Sequence, residues 1–134
     1  MKTTTGSYPV GVQAPWKLKK VVSPDEKFAK ILLLPFAFVF QHIFRYWMEE
    51  MVELVMKGGG NRQCVRLIDV TEENHQINDT GAYVEKKITG EDYALVCERL
   101  FRNRGLSVGD EIELYWDTEF HKFIFKLIKK CPVL

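Results

Sequence analysis

Two segments in the last quarter of the chain constrain its fold more than any others. In Glu111 to Asp117, Ile112, Leu114 and Trp116 alternate with Glu111, Glu113 and Asp117; in Lys122 to Lys129, Phe123, Phe125 and Leu127 alternate with Lys122, Lys126 and Ile128. Such alternation puts apolar side chains on one face of a strand and polar ones on the other. Asp117-Thr118-Glu119-Phe120-His121 then reads as a hairpin connection. A hairpin of this kind needs an apolar layer to cover its inner face. A chain of 134 residues that is 46% hydrophobic and 13% aromatic supplies one within a single domain.

The rest of the chain reads as more strands with little helix. Trp16 to Val22 mixes Trp16, Leu18, Val21 and Val22 with Lys17, Lys19 and Lys20, as in a strand with a wet, basic face. Ile31 to Leu34 is a short buried strand stopped by Pro35. Cys64 to Val70, Ala82 to Ile88 and Tyr93 to Cys97 complete a set of seven. Between Phe36 and Lys57 the polar residues Gln41, Arg45, Glu49, Glu53 and Lys57 recur every four positions, which predicts one long helix over His42 to Met56, ended by Gly58-Gly59-Gly60. Glu98 to Arg104, closing at Gly105, predicts a second, short helix. The expected fold is mainly β with two helices, an open or closed antiparallel-rich barrel of seven strands; the absence of βαβ alternation disfavours a layered α/β fold. Residues 1–14, small and polar, are expected to form a flexible tail before a domain spanning 15–134.

The same residues exclude several function classes. The longest uncharged run, Ile31 to Phe44, is about fourteen residues and broken by Pro35, too short for a membrane-spanning helix. The N-terminal segment has neither a secretory nor a transit pattern. Cys64, Cys97 and Cys131 are odd in number and far apart, which suits reduced thiols. No Cys or His pair has zinc-ligand spacing, the glycine triplet lacks the Gly-Lys-Ser/Thr ending of a phosphate loop, and no Ser or Cys sits in a nucleophile elbow. A catalytic role, a metal, a cofactor and a small-molecule substrate are therefore not expected. The net charge of +1 hides segregation. Residues 1–30 carry six basic and two acidic residues, whereas 61–98 carry four and eight. A fold that gathers the basic segments could present a basic face to a polyanion.

The run Arg102-Asn103-Arg104-Gly105-Leu106-Ser107-Val108-Gly109-Asp110-Glu111-Ile112-Glu113-Leu114-Tyr115-Trp116-Asp117, followed by a Phe-rich strand, resembles the end of the plant B-three DNA-binding domain. Leu-x-Val-Gly-Asp alone recurs in many small barrels. The resemblance gains specificity from the order of the pieces before it: Trp16 to Asp25, Ile31 to Pro35, a helix, Val65-Arg66-Leu67-Ile68-Asp69, and Tyr93-Ala94-Leu95-Val96. Cys97-Glu98 stands where the family usually has Gly-Trp.

The resemblance implies a seven-stranded open β-barrel with two helices, the DNA-binding pseudobarrel, in a nuclear regulator of plant transcription, with two loop arms that enter the major groove of double-stranded DNA. By position the first arm is Lys20 to Lys30 and the second Glu85 to Asp92. The implied DNA-binding residues are Lys19, Lys20, Ser23, Lys27, Lys30, Lys86, Lys87 and Thr89, types that neutralise phosphate or bond base edges. Asp25, Glu26, Glu91 and Asp92 lie among them and would repel phosphates. Ser23-Pro24-Asp25-Glu26 also spells a capping box with proline at the first helical position, so the first arm is expected to contain a rigid helical turn. The alternative function rests on the long helix. About two thirds of it is apolar, and Phe38, Phe44, Trp47 and Met51 suggest a surface for a homo-oligomer or protein partner in a domain that has lost tight DNA binding.

Overall fold

The computed structural model describes residues 16–132. The expected tail, 1–14, lies outside the described residues, which are arranged in two sheets and a small helical layer. The first sheet has the order β1-β8-β9-β4-β5, formed by Leu18–Val21, Glu111–Asp117, Lys122–Lys129, Leu67–Glu72 and His75–Asp79. The second has the order β2-β7-β6-β3, formed by Ile31–Leu34, Tyr93–Val96, Tyr83–Lys86 and Arg62–Cys64. All pairs are antiparallel except β4 with β9.

The period-two segments behave as their pattern requires. Ile112, Leu114 and Trp116 of β8 and Phe123 and Phe125 of β9 turn into the core, with Leu114 opposite Phe125 and Trp116 opposite Phe123. From the other sheet, Leu32, Leu34, Val84, Tyr93 and Leu95 meet them. Leu100 and Phe101 of the short helix α4 (Glu98–Arg104) are buried in the same cluster, and Gly105 caps that helix in the left-handed conformation at φ 62°.

The fold is therefore mainly β, as expected, but the elements are more numerous and shorter. The described residues form nine strands rather than seven, because Cys64 to Val70 divides between β3 and β4 and because β5 is added as an edge strand. The helix expected over His42 to Met56 is not continuous: His42 ends a separate helix, α2 (Phe36–His42), and a 3-10 turn (Phe44–Tyr46) and α3 (Glu49–Met56) follow. Ile43 stands between the first two at φ −126° and Trp47 between the last two at φ −94° and ψ 159°.

The two rings of this stretch reach both sheets. Phe44 packs edge-on against Tyr93 of the second sheet with ring centroids 5.1 Å apart, and Trp47 against Trp116 of the first at 5.7 Å. Both lie in the core cluster between the sheets. Phe38, Phe44 and Trp47 are thus buried and Met51 packs against the core, so the residues expected to make a partner surface do not make one.

Candidate nucleic-acid interface

The chain between β1 and β2 folds as the helix α1 (Pro24–Ala29). Ser23 caps it: its Oγ accepts from the Glu26 N–H at 3.2 Å, and Glu26 Oε1 accepts from the Ser23 N–H at 2.9 Å. The capping box read from the sequence is formed, with proline at the start of the helix. Lys30 ends it at φ 60°, a left-handed conformation that costs a non-glycine residue roughly 1 kcal/mol.

Glu26 is fully buried and does more than cap. Its second carboxylate oxygen accepts from the Leu33 N–H at 2.7 Å and from the ammonium of Lys20, which also donates to the Leu33 carbonyl at 3.1 Å. The placement of Lys20 follows from strand parity. It shares the inward face of β1 with Leu18, opposite Ile112, whereas Lys19 faces out, opposite Glu113. Its ammonium is thus paired with Glu26 while its side chain keeps 18% of its exposure.

The turn Leu106 to Asp110 holds the root of this arm. The Gly109 N–H donates to the Val22 carbonyl and the Val22 N–H to the Asp110 carbonyl, each at 2.9 Å, while Lys27 Nζ donates to the Leu106 carbonyl at 2.7 Å. Gly109 sits at φ 94°, and a Cβ there would stand 2.6 Å from Cys131 Sγ, so only glycine fits. The buried Asp110 carboxylate fastens the turn by accepting from the Ser107 and Cys131 N–H groups and Lys130 Nζ, all at 2.8 Å. Burial alone would raise its pKa, but these bonds outweigh that and hold it below the ordinary value.

The second arm is smaller than the sequence suggests. Glu85 and Lys86 belong to β6, which leaves residues 87–92 to connect it to β7. Lys86 pairs with Tyr93 and shares the inward face with Val84, so its stem lies against Gly58 at the end of α3, where the negative end of the helix dipole favours a cation. Lys87 projects to the opposite side of the strand; the two lysines do not act as one pair. The Lys87 N–H donates to the Asp92 carbonyl at 3.0 Å, and Asp92 Oδ1 accepts from the Phe36 N–H at 3.1 Å. Between them Ile88, Thr89 and Gly90 are exposed, with Gly90 at φ 82°.

The two arms lie at opposite ends of one strand pair. Ile31, which follows the first arm, is opposite Val96, and Tyr93, which follows the second, is opposite Leu34. At about 3.3 Å per residue the four-residue pair separates the arm roots by roughly 13 Å. Ser23, Lys27 and Lys30 belong to the arm at one end and Lys87 and Thr89 to the arm at the other; Lys19 lies on the outer face of β1 with its ammonium 3.9 Å from Glu113, and Lys20 and Lys86 share the inward faces of their strands. Of the four acids expected to repel phosphates, Glu26 is internal, whereas Asp25, Glu91 and Asp92 are exposed, Asp92 also accepting from the Phe36 N–H.

Among the described residues no group of three or more His, Cys, Asp or Glu side chains could hold a metal ion, and no helix is long and apolar enough to cross a membrane. Cys97 is buried, and burial, reinforced by Asp79 and Glu26, pushes its thiol well above the ordinary range, which suits a packing residue rather than a nucleophile.

Two sheets that share one apolar core with the short helix α4, and a capped helical arm and a loop arm flanking one strand pair, define a pseudobarrel domain. The family model described as the C-terminal domain of B3 domain-containing protein At5g26805 matches residues 16–128, and the chain belongs to this family of B3 domains. Among curated proteins none matches. Among solved structures, one titled "Arabidopsis FUS3-DNA complex" superposes with a TM-score of 0.56 over 85% of this chain and 97% of that one, at 16% identity. At that identity the likeness speaks for the fold.

Proposed function

We propose that this domain binds double-stranded DNA through its two arms, set in the major groove, as a nuclear regulator of transcription in a plant cell. The observation that carries the reading is the placement of the arms at opposite ends of the β2–β7 pair, about 13 Å apart, which matches a major groove about 12 Å wide. Membership of the B3 family and the fold shared with a B3 protein described in complex with DNA support it.

In this reading Lys19, Lys27, Lys30 and Lys87 neutralise phosphates, and Thr89 and the remaining proton of the Ser23 hydroxyl are available for polar contacts. The bonds that Lys27 and Lys30 make to the Leu106 and Lys27 carbonyls use one donor each and leave the others free to face a phosphate. Those bonds also hold the long side chains in place, so less rotamer entropy is lost on binding.

Fluorescence anisotropy with random-sequence duplex at several salt concentrations tests the proposal. Log affinity is expected to fall with log salt by about 0.9 per phosphate neutralised. Lys30→Glu and Lys87→Glu are each expected to weaken binding and flatten that slope, and Glu73→Gln, in the exposed β4–β5 turn, to leave both unchanged. Absence of binding at low salt would overturn the reading. A second reading, a protein-interaction module, is favoured by one observation: Tyr46, Met48, Leu54 and Met56 of the helical layer are exposed. Self-association in sedimentation together with no duplex binding is its expected signature.

A further inference from the structure

The polarity of α1 is inverted. An ordinary surface helix buries its apolar residues and exposes its charges, yet here Glu26 is fully buried and Phe28 is 89% exposed. The second arm repeats the pattern, with Ile88 100% exposed at its tip. Single exposed apolar residues are common on protein surfaces and need no explanation of their own. What sets these two apart is their place: each projects from an arm, beside Lys27 and Lys30 in one case and Lys87 in the other, at the two ends of the same strand pair.

We propose that Phe28 and Ile88 read the 5-methyl groups of thymine, so that the domain selects A·T pairs beneath both arm tips. This inference rests on the DNA-binding reading above and adds to it a source of sequence preference. A phenyl ring and a branched alkyl group make no hydrogen bonds and so cannot tell base donors from acceptors. In the major groove the feature they can recognise is the thymine methyl, an established partner for phenylalanine and other apolar side chains. The geometry disfavours a protein partner for the same residues. They form two separate points about 13 Å apart at their roots, each with cations beside it, rather than one continuous apolar patch.

The division of labour is consistent with the arms' construction. Glu26 and Lys20 hold the first arm from inside, so Phe28 carries no packing duty and is free to project. Ile88 likewise packs on nothing within the fold. Neither side chain can be exchanged for alanine at much cost to stability, which separates a binding effect from a folding effect.

The test uses the full chain and duplexes recovered by selection from a random-sequence pool, with each thymine replaced in turn by deoxyuridine, a change that removes only the methyl group. Each replacement under an arm tip is expected to weaken binding by about fourfold, the effect of one buried methyl group. Phe28→Ala and Ile88→Ala are expected to lose the thymine-over-uracil preference at their own position only, with unchanged melting temperature. Salt-dependent binding that is indifferent to every methyl, or selected duplexes without A·T pairs, would overturn this inference alone. Self-association that Phe28→Ala abolishes would reassign the tip to a protein contact and overturn it too. No duplex binding at any salt would remove both this inference and the DNA-binding reading.

Discussion

The two arms do comparable work in the proposed function and are built in opposite ways. The first is a capped helical turn, held from beneath by a buried carboxylate and from the side by the Leu106–Asp110 turn. The second is a short connection closed by one backbone bond from Lys87 to Asp92 and one bond from the Phe36 N–H to Asp92, with its three central residues exposed. The contrast separates two kinds of evidence. Changes inside the first arm should register in stability and in binding together, whereas changes at the tip of the second should register in binding alone.

The largest expected effect is that of Glu26→Ala. It removes the acceptor of the Ser23 and Leu33 N–H groups and leaves Lys20 with its charge largely buried, and breaking such a pair from one side costs about 3–5 kcal/mol. A midpoint shift of that size in chemical denaturation is the check. Ser23→Ala, which takes away only the cap, should cost about 1 kcal/mol in the same measurement.

Acid should produce a graded loss at the root of the first arm. The folded-state pKa of Asp110 lies below its ordinary value of 3.8. The stability it contributes is therefore complete above about pH 3.8 and declines as the pH falls through the folded value. Hydrogen exchange at the Val22 and Gly109 amides should accelerate over that range and cease to respond in Asp110→Asn. The smallest expected effect is that of Ile88→Ala, within about 0.5 kcal/mol of the parent. If Ile88→Ala melts as low as Ser23→Ala, the distinction between the arms fails.

How far each region could be read from sequence follows from where its information resides. The capping box of α1, the hairpin of β8 and β9, the strand Ile31–Leu34 and the helix Glu98–Arg104 are where the local pattern puts them, since each is specified by neighbours within one or two turns or by strict alternation. The helical layer misleads because its four-residue recurrence survives while the helix does not. Ile43, Phe44 and Trp47 are β-branched or aromatic residues of modest helix propensity, and the backbone leaves the helical conformation at Ile43 and Trp47. The edge strand His75–Asp79 has only Ile77 as an apolar residue, and its one buried position is held by the polar Asp79, so it leaves no periodic apolar signal.

The site was legible in position and less so in orientation. Sequence order located both arms and the capped turn, but an unbroken Lys19-Lys20 or Lys86-Lys87 pair does not say which lysine faces inward. Strand register alone gives Lys20 to Glu26 and Lys86 to the end of α3. A carboxylate two residues past a proline, in a loop counted as solvent-exposed, gave no sign that it would become the buried anchor of the first arm.

The Leu106–Asp110 turn carries a further consequence, for the order in which the molecule assembles. The bond from Lys27 to Leu106 spans 79 residues, and Val22 waits for Gly109 and Asp110. Closing so long a loop is entropically slow, whereas the capping box and the Glu26 contacts lie within residues 20–33. A ribosome that has released the first hundred residues has emitted all that shapes the arm but not the whole turn that seats it. The first arm thus takes its shape early and its anchorage late, when the Gly-Asp turn closes on Val22.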